Sequence, residues 1–223
     1  MILYAIPTPL GGRAKDALPL PALEILSSLT DFVVENAKSA RAFLADAGLP
    51  VRGLSIVEID KAGDALKPLR EGRNLGLLSE AGCPAIADPG AALVEAAHAA
   101  GFRVVPLVGP SSIVLALMAS GLEGQRFAFC GYVPREAGPR EKRIRELETR
   151  SRREGETQIF IETPYRSDAL LEALLSTCAD RTRLCVAADL TLETEWIRSQ
   201  PVAQWRRARA AIGRRPAVFL LLA

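Results

Sequence analysis

Two acids, Glu80 and Asp88, stand eight residues apart in the stretch 75–90, LGLLSEAGCPAIADPG, where a short apolar run gives way to small residues and two prolines. Carboxylates in such a loop could exchange protons with a substrate. They could equally cap the helix predicted from about Ala91. Glu162 poses a sharper question. It ends the run Thr157–Glu162 directly before Thr163-Pro164-Tyr165-Arg166, so a carboxylate closes a strand predicted to be buried and needs a partner there. Ser111-Ser112 opens another helical run, where hydroxyls serve either a ligand or the helix N-terminus. The arginines at 135, 140, 143, 145, 150, 152 and 153 are interleaved with Glu136, Glu141, Glu146 and Glu148. That is the pattern of a solvated helix, with contact to a phosphate backbone as the second reading.

The chain lacks the parts that several other chemistries need. GxGxxG and GxxxxGK[ST] are absent, so nothing marks a pyrophosphate cradle. The single histidine, His98, sits in an alanine-rich helical run, which argues against a Ser-His-Asp triad. Cys83, Cys130, Cys178 and Cys185 are far apart with no CxxC pair, which argues against zinc and against a disulfide framework. The last three are expected as small buried apolar residues and Cys83 as a loop thiol. No apolar run approaches the ~18 residues of a membrane span, and Met1 opens directly on the strand-like ILYAI. A soluble, cytoplasmic protein without a signal peptide is expected.

The candidate residues have to be held by strand ends. Apolar runs predict strands over 2–6, 31–35, 55–59, 74–79 and 103–107, alternating with helices over 19–28, 38–47, 65–71, 91–100 and 113–120. Such alternation implies a mostly parallel sheet with helices on both faces, whose ligands sit outside the carboxyl ends of the strands. The pattern pauses at 121–124 and resumes with strands over 126–130, 157–162, 183–188, 194–199 and 217–222 and helices over 139–153, 167–175 and 202–212. The short link between 183–188 and 194–199 predicts an antiparallel pair. The fold class is therefore α/β, as two α/β domains over 1–120 and 121–223 with mostly parallel sheets, a size that 223 residues allow.

The net charge of +2 conceals an asymmetry: residues 1–120 carry 10 Lys+Arg against 12 Asp+Glu, and residues 121–223 carry 18 against 14. Of those 18 cations 17 are arginine, which favours an anionic partner for the second half, because guanidinium pairs bidentately with phosphate.

Five segments, LYAIPTPLGG at 3–12, LLSEAGCPAIADPG at 77–90, VGPSS at 108–112 leading to ASGL at 119–122, FAFCGYVP at 127–134 and IFIETPYR at 159–166, are spread in order along nearly the whole chain. Together they resemble the tetrapyrrole methylase superfamily, the class III S-adenosylmethionine-dependent methyltransferases, and within it the branch that methylates ribosomal RNA. The resemblance implies two α/β domains with one S-adenosyl-L-methionine in a cleft between them, in a homodimer, with no metal and no membrane. By position the cofactor would meet Leu10, Gly82, Cys83, Ile86 and Ala87, then Ser111, Ser112, Glu162 and the Pro216-Ala217 entry to the last strand. If the acceptor is a ribose 2′-hydroxyl of small-subunit ribosomal RNA, Glu35, Glu80 or Glu162 would be the base, and Arg41, Arg135, Arg140 and Arg166 would hold flanking phosphates. Two other readings stay open: a small anionic or tetrapyrrole-like acceptor, and a cofactor-binding module without turnover. The chain also departs from the RNA branch. At 34–41, VENAKSAR keeps one acid and the late arginine of an AEDTR-like segment, and at 188–195, ADLTLETE lacks the basic residue and histidine of a RELTKxHE-like one.

Overall fold

The first five strands are short and apolar with little polar alternation, the mark of strands covered on both faces. In the computed structural model, which describes residues 1–208 and 210–223, they are β1 (Ile2–Ile6), β2 (Asp31–Val34), β3 (Ser55–Glu58), β4 (Leu75–Leu78) and β5 (Arg103–Pro106). They form one sheet in the order β3-β2-β4-β1-β5, with every pair parallel. Between them run α1 (Ala14–Ala17), α2 (Leu20–Ser27), α3 (Ala37–Asp46), α4 (Lys67–Arg70) and α5 (Ala91–Ala99). Crossovers β1→β2 and β2→β3 head for the β3 edge, whereas β3→β4 and β4→β5 head for the β5 edge. Right-handed connection then puts α1–α3 on one face and α4 and α5 on the other.

Side chains sort accordingly. Ile6, Phe32, Val34 and Leu78 pack with Leu26 of α2 and Leu44 of α3, while Leu3, Val33, Leu75 and Leu77 pack with Leu69 of α4 and Leu93 of α5. Gly76 is required by this packing, since a Cβ there would stand 2.7 Å from Cδ1 of Phe32. One turn of helix, α1, has no counterpart in the sequence reading; four residues are too few to show a period, and a tertiary contact holds it, Ala14 N–H donating to Asp46 Oδ2 at 2.6 Å.

The second set comprises α6 (Ser112–Ser120), β6 (Phe127–Tyr132), α7 (Ala137–Glu154), β7 (Thr157–Glu162), α8 (Ser167–Thr177), β8 (Arg183–Ala188), β9 (Trp196–Pro201), α9 (Val202–Arg207) and β10 (Ala217–Leu222). Its sheet has the order β6-β7-β10-β8-β9. Here the expectation of mostly parallel strands is met only by β6 and β7. The sheet is mixed because β10 inserts antiparallel between β7 and β8, and β8 pairs antiparallel with β9, as the short link predicts. Phe160 and Phe219 stack at 6.0 Å across β7 and β10, in a core that Leu170, Leu174 and Trp205 complete. Cys178 and Cys185 are buried, and burial pushes their thiols up to about 12 and about 11. Cys130 is only half-buried.

By contacts the chain divides into two compact units, Met1–Ser111 and Ser112–Ala223. The division lies before α6, not after it at residue 120, because α6 packs against β8, β9 and β10. Of the helix expected over 202–212, α9 takes Val202–Arg207, and Arg209 lies outside the described residues. Among the described residues no helix is long and apolar enough to cross a membrane.

Candidate functional site

In the first unit, β1 and β4 are neighbours whose outgoing connections leave toward opposite edges. Such a switch opens a crevice at the carboxyl ends of the two strands. The loops there are tied by main chain: Thr8 N–H donates to Gly82 O at 2.9 Å and Gly82 N–H donates to Thr8 O at 3.0 Å. Ser79 Oγ also donates to Gly82 O, at 3.1 Å, and Cys83 Sγ donates to Pro110 O at 3.4 Å, which brings in the loop after β5. Gly82 takes φ +79°, and a Cβ on it would lie 3.3 Å from Cδ2 of Leu10. At Gly109 a Cβ would lie 2.4 Å from Cβ of Pro7, so the β1 and β5 loops touch only because residue 109 has no side chain. Beyond Cys83, Ala85 and Ala87 adopt φ of +64° and +66°, which non-glycine residues rarely do, with Ile86 exposed between them. Leu10, Gly82, Cys83, Ile86 and Ala87 thus belong to one tied set of loops.

Three carboxylates gather on the same set. Glu80 N–H donates to Glu35 Oε2 at 3.0 Å, and Ser39 Oγ donates to Glu80 Oε1 at 3.1 Å. Asp88 is half-buried, and burial together with the charge of Glu35 raises it to about 6, against an opposing hydrogen bond with Ser79 and with a further push from Glu80. It does not cap the next helix, whose N-cap is Gly90 with no side-chain bond. Arg41 lies on α3, donates to Ala37 O at 3.2 Å, and adds its charge to the field at Glu58. Asn36 Oδ1 starts α3 by accepting from Lys38 and Ser39 N–H at 2.9 and 3.2 Å.

In the second unit the register sets Glu162 opposite Ala217, Ala217 opposite Ala188, and Ala188 opposite Trp196, one row across four strands. The partner that Glu162 needs is Arg166: Oε1 accepts from Arg166 Nε at 2.9 Å, from Arg166 Nη2, and from Thr163 N–H at 2.7 Å. The carboxylate is 1% exposed and the guanidinium 29%. Pro216, next to Ala217, accepts from Asp189 N–H at 3.0 Å.

Arg135 and Arg140 sit around the start of α7, where Arg140 Nη1 donates to Arg135 O at 3.4 Å. Neither has a carboxylate partner among the described residues, and Arg140 Nε is buried without an acceptor. Further along α7 the solvated reading holds, since Arg143 pairs with Glu146, Arg145 with Glu141 and Arg152 with Glu148 at 3.4, 3.2 and 3.9 Å. Ser111 ends the first unit and Ser112 begins the second.

Sequence reasoning left Thr8 and Ser79 out of the site, and raised Asp88 without placing it there. Thr8 lies inside the first Pro-rich loop and Ser79 directly precedes Glu80; only a strand order that puts β1 beside β4 shows that they meet. Among the described residues no group of three or more His, Cys, Asp or Glu could hold a metal ion. A cavity of about 210 Å³ in the first unit is lined by Asp31, Ser55 and Leu75, the first residues of three strands, and so lies away from these loops.

Comparison with known proteins gives five matches that bear on this chain. The tetrapyrrole (corrin/porphyrin) methylase family profile matches residues 3–205. The chain is 34% identical to ribosomal RNA small subunit methyltransferase I of Escherichia coli O157:H7 over 91% of its own length and 70% of the relative's. The enzyme of the same name from Vibrio cholerae is 33% identical over 91% and 69%. Among solved structures, the methyltransferase CobJ superposes with a TM-score of 0.63 at 24% identity, covering 98% of this chain and 92% of that one. Uroporphyrin-III-C-methyltransferase from Thermus thermophilus gives 0.56 at 21%, covering 99% and 91%.

Proposed function

This chain belongs to the tetrapyrrole methylase family, and we propose that it is a methyltransferase that moves the methyl group of S-adenosyl-L-methionine to a ribose 2′-hydroxyl of small-subunit ribosomal RNA. The observation that carries the substrate is its identity with enzymes named for ribosomal RNA, which exceeds its identity with either solved methyltransferase structure.

The loops of the first unit fit the cofactor by the chemistry of their donor set. A sulfonium and an α-ammonium are cations, and Glu35, Glu80 and Asp88 gather on one set of loops without an ion-pair partner among the described residues. Leu10, Ile86 and the exposed main chain around Ala85 and Ala87 would take the adenosine, with Gly82 and Cys83 keeping the loops in place. Bound S-adenosyl-L-methionine supplies an already activated methyl group, so the protein's work is alignment and removal of one proton. Glu35, Glu80 and Asp88 are the proton acceptors we assign. Asp88, raised to about 6, is close to the range in which a base both takes and releases a proton near neutral pH. Glu162, whose carboxylate is already engaged by Arg166 and Thr163, is assigned to positioning the turn after β7. Arg41, Arg135 and Arg140 are assigned to phosphates of the RNA, and Arg166 shares its guanidinium with Glu162. Family position also assigns Ser111, Ser112, Pro216 and Ala217 to the cofactor, each testable by loss of cofactor affinity on substitution.

The experiment is incubation with radiolabelled S-adenosyl-L-methionine and purified small ribosomal subunits, followed by nuclease digestion. Label in a 2′-O-methyl nucleoside is expected. Label on a base, or only on small molecules of a cell extract, overturns the substrate assignment while leaving the methyltransferase in place.

A further inference from the structure

Seventeen of the eighteen cations after residue 120 are arginine, and three of them are placed unlike the rest. On α7, Arg143, Arg145 and Arg152 pair with glutamates one turn away. At the carboxyl ends of β7 and β8, by contrast, guanidinium groups lie against aromatic rings. Arg214 Cζ is 5.2 Å from the centroid of Tyr165, and Arg215 Cζ is 5.3 Å from that of Trp196. Arg198 Cζ is 5.1 Å from Trp196 and 5.2 Å from Trp205. None of these three arginines has a carboxylate within 4 Å among the described residues.

The register explains how they gather. Glu162, Ala217, Ala188 and Trp196 form one row, so the two residues just before Pro216 stand between the end of β7 and the start of β9. Arg214 turns to the β7 side and Arg215 to the β9 side. Nearby acids are already committed: Glu162 to Arg166, Asp168 to the N–H groups of Ile212 and Gly213, Asp189 to Thr194, and Glu195 to Thr191 N–H. Backbone carbonyls fix two of the planes, Arg215 donating from Nε to Ile212 O at 2.7 Å and from Nη2 to Ala211 O at 3.1 Å, and Arg198 from Nη1 to Ala208 O at 2.9 Å, which leaves Nη1 of Arg215 and the Nε and Nη2 of Arg198 to bind. Trp205 is buried and donates to Leu184 O at 2.9 Å, anchoring the array to the core. Tyr165 is the opposite, 79% exposed on a one-turn helix.

From this juxtaposition we infer that the end of the second sheet is an RNA-contact surface, with Tyr165 stacking on an unpaired base and Arg198, Arg214 and Arg215 meeting the phosphates on either side. An exposed ring backed by a guanidinium is how proteins hold single-stranded polynucleotide without reading its sequence. An acidic peptide would use the charges and leave the ring idle. The inference rests on the RNA reading above and specifies which surface of the second unit serves it.

The test is fluorescence anisotropy of an end-labelled, unstructured oligoribonucleotide about twelve nucleotides long, titrated with the full chain at about 50 and about 200 mM salt. Tyr165→Leu and Arg214→Gln alter two exposed side chains, and thermal melts confirm that both variants fold. Each variant is expected to weaken binding roughly tenfold, and Arg214→Gln to flatten the dependence on log salt by about one phosphate contact. Unchanged affinity in both folded variants overturns the inference, as does polyglutamate displacing the oligonucleotide equally from wild type and Tyr165→Leu. If wild type methylates ribosomal RNA while both variants bind it normally, this surface is wrong and the function stands. If wild type neither binds the oligonucleotide nor labels ribosomal RNA, both fall.

Discussion

At the strand ends of the first unit stand Glu35, Glu80 and Asp88, held among loops that bind one another through main-chain hydrogen bonds. At the strand ends of the second stand Arg166, Arg198, Arg214 and Arg215, set against one buried carboxylate and three aromatic rings, with backbone carbonyls also holding Arg198 and Arg215. Each end therefore has the sign opposite to the ligand proposed for it, a sulfonium in one case and a phosphate backbone in the other. The means of support differ as well. Main-chain ties tolerate most side-chain changes and fail where a Cβ would intrude, whereas side-chain ties fail when a single partner is removed.

The largest effect is expected where one charge of a buried pair is deleted. Glu162→Ala should cost about 3 kcal/mol in urea denaturation, the low end for a broken buried pair because Arg166 keeps 29% exposure. A loss under about 1 kcal/mol would show that water replaces the carboxylate and that the second unit does not depend on side-chain partners. Next comes Gly109→Ala, whose Cβ would sit 2.4 Å from Pro7, a rigid ring unable to give way. It should cost about 2 kcal/mol and weaken S-adenosyl-L-methionine binding measured by calorimetry, because the β1 loop carries Thr8 away from Gly82. Full cofactor affinity in that variant would separate loop contact from ligand binding.

Asp88 sharpens the electrostatic half of the contrast. Its value in the fold, about 6, lies above the ordinary 3.8, so across pH of about 4 to about 6 the folded chain binds a proton that the unfolded chain has released. Stability from this group is present at the acid end of that window and is lost as pH rises through it. Denaturation of Asp88→Asn over the same range should show a shallower fall and a more stable protein at neutral pH, and an identical slope would remove the burial of Asp88 and its repulsion by Glu35 and Glu80 from the account. The smallest effect is expected at Thr8→Val. The bridge to Gly82 uses the backbone of residue 8, and its hydroxyl reaches Ser79 O only at 3.4 Å, so the change should be below about 1 kcal/mol.

Local pattern made much of this legible. Most strands of both sheets stood out as short apolar runs, β9 followed from its short link to β8, and Gly48, Gly101 and the Pro-rich loops marked the stops, because breakers act within a few residues. Residues whose partners are near in sequence were also readable: the need of Glu162 for a partner is answered four residues later by Arg166. What sequence did not carry was pairing at a distance. Nothing local says that β10 inserts between β7 and β8, making the second sheet mixed, or that Thr8 meets Gly82 seventy-four residues on. The gathering of Arg198, Arg214 and Arg215 on Tyr165 and Trp196 depends on that same insertion, which is why composition showed an arginine excess without showing where it collects.

The chain has two tryptophans, Trp196 and Trp205, and they lie edge to face with ring centroids 6.0 Å apart. Indole emission from this protein is therefore a private optical channel of its second unit, and the first, whose lone tyrosine is Tyr4, is dark in it. Far-ultraviolet dichroism sees the helices of both. Overlaying the two melting curves would tell, without a label or a substitution, whether the halves come apart as one body or in turn.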